Sequence, residues 1–221
     1  LSRAVAVLRP EPGNAATIAR IEAAGLTAIR LPLFDLRAVD WAVPDPALYD
    51  ALILTSANAP RLAGSGLDAL ATLPVFAVGP ATAAAARERG LTVTATGDGD
   101  GVEIVATLAM RGFTKALLLG GRERRVHEGG VVANAITVYA SDPLPIEPSA
   151  IAALSDTVAL LHSTRAATRL AELAGRTRAS IRLAAISPAV AAAAGPGWAD
   201  VAAADSPTDD ALIALAGRLA D

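Results

Sequence analysis

The sequence predicts an α/β protein. Three observations lead there. Short apolar runs alternate with alanine-rich stretches that begin at polar turns. Two irregular, proline-bearing segments interrupt that alternation. The later part of the chain then repeats the element order of the earlier part. Strands alternating with helices are the pattern of parallel sheets with helical crossovers.

Residues 4–8 are apolar throughout and suit a strand buried on both faces. Asn14 is placed to cap a helix that runs to Ala24, and Gly25 stops it. Residues 27–33 form a second strand, so the chain opens β-α-β with a parallel pair. Residues 36–46, with Trp41, Pro44 and Pro46, read as an extended crossing. Residues 51–55 are a strand followed by the turn Ser56-Ala57-Asn58-Ala59-Pro60. Residues 62–70 are helical in part, weakened by Gly64 and Gly66. Residues 75–78 form a strand, Gly79-Pro80 turns the chain, and residues 81–89 form a helix closed by Gly90. Residues 92–95 are a strand, the glycine-rich stretch 97–101 a loop, 102–110 a helix and 116–119 a strand. A polar loop spans 120–130, residues 136–139 are β-rich, and Pro143, Pro145 and Pro148 mark a second linker.

The alternation then resumes. Strands are expected at 157–161, 181–186 and 201–203, and helices at 163–173 and 188–194. Thr208 caps a final helix whose first turn carries Asp209 and Asp210, where acidic side chains complement the helix dipole. Ser56 and Ser163 each follow an apolar strand. Gly79 and Ser187, 23 and 24 residues further on, each precede a proline and open an alanine-rich helix. This echo points to two similar domains.

Composition narrows the function. Of 221 residues, 53% are hydrophobic, enough for a substantial core, and only 3% are aromatic, so that core is aliphatic. The formal charge of −3 and the lack of a dense basic patch argue against nucleic acid as a partner. Cysteine is absent, which removes disulfide and thiolate chemistry. The apolar opening run is too short for a signal peptide or membrane helix. A cytoplasmic protein with no membrane partner is expected. His127 and His162 lack a ligand pattern around them, so no metal is expected. No Gly-Lys-Ser/Thr loop and no G-x-S-x-G elbow occur.

In open parallel sheets, ligands sit at the carboxyl ends of the strands. Arg9-Pro10, Thr55-Ser56-Ala57-Asn58, Gly79-Pro80-Ala81-Thr82, Gly99-Asp100-Gly101, Gly120-Gly121-Arg122, His162-Ser163-Thr164 and Ser187-Pro188 all fall there. Most of them precede helices, whose N-termini favour anions. Ser56, Thr82 and Ser163 read equally as plain helix caps, Asn58 as a turn former, and Arg122 as a solvated loop residue. Tyr139 either covers the end of a strand or offers a donor hydroxyl.

These residues together resemble the uroporphyrinogen-III synthase family over nearly the whole chain. The similarity is carried by Leu8-Arg9-Pro10, by Thr55-Ser56-Ala57-Asn58, by Phe76 through Ala83, by residues 117–121 with Arg122, by Val138-Tyr139, by Leu161 through Ala166, by Ile186 through Ala191 and by Ser206-Pro207-Thr208. Ser187 stands where the family commonly has glycine, and Val190 where it often has threonine.

The resemblance implies two flavodoxin-like, three-layer domains joined by two extended linkers. Residues 1–34 and 145–221 would form one domain and 39–136 the other, with 35–38 and 137–144 as linkers. It implies a hydro-lyase that closes the linear tetrapyrrole hydroxymethylbilane into a ring with one pyrrole inverted, without a cofactor, as a monomer. Substrate contacts would come from Arg9, Thr55, Ser56, Asn58, Gly79, Thr82, Gly121, Arg122, Ser163, Thr164 and Ser187 around an interdomain cleft, with Tyr139 as the candidate catalytic group. A two-lobed module that binds small anions, or a regulatory domain without catalysis, is the competing expectation.

Overall fold

The computed structural model describes residues 2–99 and 101–221. Leu1, the start of the first expected domain, and Asp100, within an expected strand-end turn, lie outside the described residues. The chain opens with β1 (Val5–Val7), α1 (Gly13–Ala23) and β2 (Ala28–Arg30), followed by β3 (Phe34–Ala38). After a short 3₁₀ turn come β4 (Ala51–Leu54), α2 (Asn58–Leu62), a second 3₁₀ segment (Gly64–Leu70), β5 (Val75–Ala77) and α3 (Pro80–Glu88). Then follow β6 (Val93–Thr96), α4 (Gly101–Met110), β7 (Ala116–Gly121) and the twelve-residue β8 (Val132–Pro143). The last part holds α5 (Pro148–Ala152), β9 (Val158–Leu161), α6 (Thr164–Ala174), β10 (Arg182–Ala185), α7 (Pro188–Ala193), β11 (Asp200–Ala203) and α8 (Asp209–Ala220). The architecture is α/β throughout.

The chain divides into two compact units, Leu1–Asp35 with Pro143–Asp221, and Leu36–Asp142. Residues 35–38 and most of 137–144, expected from the sequence to be extended linkers, run within β3 and β8. The first unit is built on a five-stranded sheet in the order β11-β10-β9-β1-β2, with every pairing parallel. Its strands alternate between two buried faces. Ala6, Leu8, Ala159, Leu161, Leu183 and Ala185 pack with Ile151, Leu170 and Val190 of α5, α6 and α7. Val5, Val7, Val158, Leu160 and Ala184 pack with Ile21 of α1 and Leu212 of α8. Burial on both faces is why the central strands β1 and β9 are apolar at every position rather than at every second one.

The second unit has the order β3-β8-β7-β4-β5-β6, and β4 to β8 pair in parallel. Leu52, Leu54, Leu117 and Leu119 pack with α2, the 3₁₀ segment and α3 on one face. Ala51, Ile53, Phe76 and Leu118 pack with Ile104 and Leu108 of α4 on the other. Each unit is therefore a three-layer sandwich. In each, the strand order reverses once: between β1 and β9 in the first unit, and between β4 and β7 in the second. Such reversal points leave a crevice outside the strands' carboxyl ends.

Asn14 corrects one expectation. It does not cap α1, whose N-cap is Pro12. Its side chain is fully buried, and Nδ2 donates to the carbonyls of Val7 (2.8 Å) and Arg9 (2.9 Å). The strand-end carbonyls need a donor in a place closed to water, and the amide at the start of the helix supplies it. Asn14→Ala is expected to destabilise the fold by about 2 kcal/mol, because it strips buried acceptors of a partner. A denaturant titration with an unchanged midpoint would contradict this. The C-terminal expectations fare differently: Ser163, Ser187 and Thr208 each accept a hydrogen bond from the backbone N–H three residues on and cap α6, α7 and α8.

Candidate functional site

The second unit's reversal point carries a recess. β7 ends in Gly120-Gly121, and Gly121 is in register with Tyr139 of β8. A Cβ on Gly121 would lie 2.7 Å from Cζ of Tyr139 and 2.9 Å from its hydroxyl oxygen. The tyrosine ring therefore occupies the space that any other residue at 121 would fill. A Cβ on Gly120 would lie 3.0 Å from the Thr55 hydroxyl at the end of β4. The two glycines let β4, β7 and β8 bring Thr55 and Tyr139 close to the same backbone.

Beyond Gly121 the chain is pinned by Arg124. Its guanidinium donates to the Gly121 carbonyl (3.0 Å), the Thr137 hydroxyl (2.7 Å) and the Ala135 carbonyl (3.0 Å). The backbone N–H of Arg122 donates to the Tyr139 carbonyl at 2.9 Å. Val126 is buried against the start of α4, where a Cβ on Gly101 would approach it to 2.7 Å. Together these fix a recess of about 480 Å³. Its lining combines Thr55, Gly121 and Tyr139 with Val78, Gly99 and Gly101 and with residues 123–126 of the loop after β7. Tyr139 is half-buried, and its hydroxyl has no hydrogen-bond partner among the described residues. It is free to donate to a ligand.

Of the expected site residues, the lining of this recess brings together Thr55, Gly121 and Tyr139. Ser56 accepts from the Asn58 backbone N–H at 3.1 Å, an arrangement that starts α2. Gly79 is the extended N-cap of α3, and a Cβ there would make only ordinary contact with Gly99. Thr82 is buried in the first turn of α3. Arg122 is turned to Asp142, 2.8 Å away, and Asp142 is also held by Arg37 at 2.6 Å. The hydrogen bond and charge of Arg37, with those of Arg122, hold the Asp142 carboxyl below its ordinary range. Thr164 lines a separate recess on α6 with Arg165, Thr168 and Arg169, where Arg165 lies over the Phe34 ring.

Arg9 and Ser163 follow β1 and β9 at the first unit's reversal point, and Arg9 belongs to a polar cluster that the sequence alone does not assemble. His162 Nε2 is 2.8 Å from Asp209 Oδ1, and the Thr17 hydroxyl donates to Asp209 Oδ2 at 2.9 Å. Arg9 approaches the same carboxylate at 3.5 Å and lies over Gly13. Its charge is thus partly matched inside the unit. Burial is the main force that pushes the His162 imidazole below its ordinary value; Asp209 opposes this and Arg9 adds to it. Burial works against the ionised Asp209 carboxyl, but hydrogen bonds from His162 and Thr17 outweigh it and hold the group low. The neutral tautomer that donates from Nε2 fits this geometry, because Nδ1 is buried without a partner and a proton there would be unsatisfied.

Acidification should therefore destabilise the first unit. The unfolded chain takes up a proton at His162 first as the pH falls below 6.5, the ordinary imidazole value, and at Asp209 later, in stronger acid. His162→Gln should flatten the loss of stability between roughly pH 7 and pH 5. Denaturant midpoints measured across that range decide it; an identical slope in both proteins would contradict the burial of a neutral His162 as the source of the loss.

Among the described residues, no group of three or more acidic or histidine side chains could hold a metal ion, and no helix is long and apolar enough to cross a membrane. The family model described as uroporphyrinogen-III synthase HemD matches residues 15–214. A uroporphyrinogen-III synthetase structure from Helicobacter pylori is 18% identical, with a TM-score of 0.64, over 98% of this chain and 99% of that one. A mutant uroporphyrinogen III synthase from the extremely thermophilic bacterium Thermus thermophilus is also 18% identical, with a TM-score of 0.62, over 99% of this chain and 98% of that one. At this identity the two structures speak to the fold. No curated protein sequence matches the chain.

Proposed function

The chain belongs to the uroporphyrinogen-III synthase family, and from that premise we propose that it cyclises hydroxymethylbilane with inversion of the terminal pyrrole. The observation that carries this reading is a single family match running from residue 15 to residue 214, through both units. The reaction is that of a lyase. The bilane's terminal hydroxyl leaves as water and an azafulvene cation remains. The substituted carbon of the last pyrrole attacks that cation to give a spiro intermediate, which fragments and recloses as the type III ring. The proton taken up by the departing hydroxyl is returned when the closed ring regains its aromatic pyrroles, so no oxidant or reductant is needed.

Much of the reactivity lies in the substrate. The protein must hold the chain folded and disfavour direct closure without inversion, and orientation alone supplies a large part of such a barrier. In this reading the recess beside Thr55, Gly121 and Tyr139 receives the reacting end of the bilane. The Tyr139 hydroxyl donates a hydrogen bond to the hydroxyl that leaves. A phenol is mostly neutral near neutral pH and is able to donate there. Ser56, Asn58, Gly79, Thr82, Arg122, Ser163, Thr164, Ser187 and Arg9 remain proposed contacts for the substrate's carboxylates, mainly through backbone N–H groups at strand ends and helix starts. The domain division at 34/39 and 136/145, a monomeric state and a cytoplasmic setting belong to the same proposal. Conversion of freshly prepared hydroxymethylbilane, with the ring isomers separated chromatographically, tests it.

A further inference from the structure

We infer that Arg125 forms a carboxylate subsite in the recess beside Tyr139 and selects for an acidic arm of the substrate; this rests on the proposed tetrapyrrole reading. The two adjacent arginines divide their work. Arg124 commits its guanidinium to Gly121, Thr137 and Ala135, which fixes the path of the loop. Arg125 follows it, lines the same recess and makes no ion pair among the described residues. The fixed loop thus holds Arg125 at the recess, where its fork of donors suits a carboxylate.

Two further features favour an anion there. The ten-residue helix α4 begins at Gly101, which lines the recess, so the positive end of its dipole lies at the site. The Tyr139 hydroxyl, without a partner among the described residues, adds a neutral donor on the same recess. Glu123 is the opposing charge on the lining, exposed and already engaged in an interaction of its own. Counting it against Arg124 and Arg125 leaves one net positive charge on the described lining. A substrate that bears several carboxylates gains from such a site, and a neutral analogue does not.

The test compares Arg125→Gln with Arg61→Gln, an equal loss of charge on α2 outside the recess. Each protein is assayed with hydroxymethylbilane at low and high salt. Each is also titrated at equilibrium with a carboxylated tetrapyrrole ring and with the same ring fully esterified. Arg125→Gln is expected to raise KM roughly 5- to 10-fold at low salt with little change in kcat, and to weaken binding of the acid ring by a similar factor. The effect should shrink at high salt, and the ester ring should bind both variants alike. Equal KM and equal acid-ring affinity for the two variants at low salt would overturn the subsite. If the parent protein turns over no bilane, the proposed reaction fails, and the acid-against-ester titration still decides whether Arg125 binds carboxylates.

Discussion

Tyr139→Phe is expected to fold normally and to form the type III ring about 10- to 100-fold more slowly. Positioned general acids are typically worth about 10²- to 10⁴-fold. The lower end applies because the hydroxyl of the bilane departs readily once hydrogen-bonded. The substitution removes one oxygen and leaves the ring against Gly121, so packing is preserved. Because that hydroxyl has no partner among the described residues, its loss should not cost stability. Initial rates, with circular dichroism to monitor folding, make the measurement. A folded variant with full activity would remove Tyr139 from the chemistry, whereas a variant that fails to fold would assign its hydroxyl to the packing of β8 alone.

Gly121→Ala is expected to lower kcat by about 100-fold while the protein remains folded. The new methyl would stand 2.7–3.0 Å from two ring carbons and the hydroxyl oxygen of Tyr139, closer than nonbonded atoms tolerate, so the ring must swing out of the recess. Overpacking at a buried position also costs about 1–3 kcal/mol of stability, which a denaturant titration would register. The two substitutions should not add. In the Tyr139→Phe background the donor is already gone, so Gly121→Ala should cost little further rate. Additive losses would show that Gly121 acts on the substrate directly rather than through the tyrosine.

What is legible in the sequence follows burial. β1, β4, β5, β7 and β9 stand out because strands buried on both faces carry no polar side chain, and four helices start at Gly79, Ser163, Ser187 and Thr208 with recognisable cap chemistry. α5 escapes notice because Pro148 sits in a run of prolines that reads as linker, although proline is well suited to the first position of a helix. β8 begins at Val132, earlier than its apolar pattern suggests, since Asn134 interrupts the run. Asn14 reads as a cap because that is what asparagine does near a helix start, but the unmet carbonyls of the neighbouring strand claim its amide.

The site is only partly legible for the same reason. Thr55, Gly121 and Tyr139 are marked individually by their strand-end positions, and the sheet order brings them together. Arg124 and Arg125 are neighbours in the polar loop 120–130, yet nothing local says that one is consumed by β8 and that the other makes no ion pair among the described residues. His162 and Asp209 are 47 residues apart, and they meet only because the end of β9 and the start of α8 lie at the same edge of the first unit. Asp209 read alone is an ordinary helix-start carboxylate.

The central claim is that this chain inverts the last pyrrole as it closes the ring. The most direct test supplies freshly made hydroxymethylbilane to the purified protein and resolves the ring isomers that form. Accumulation of the type III isomer well above the spontaneous uninverted product, without added cofactor, is the expected result. Formation of the uninverted isomer alone, at the rate seen without protein, would contradict it.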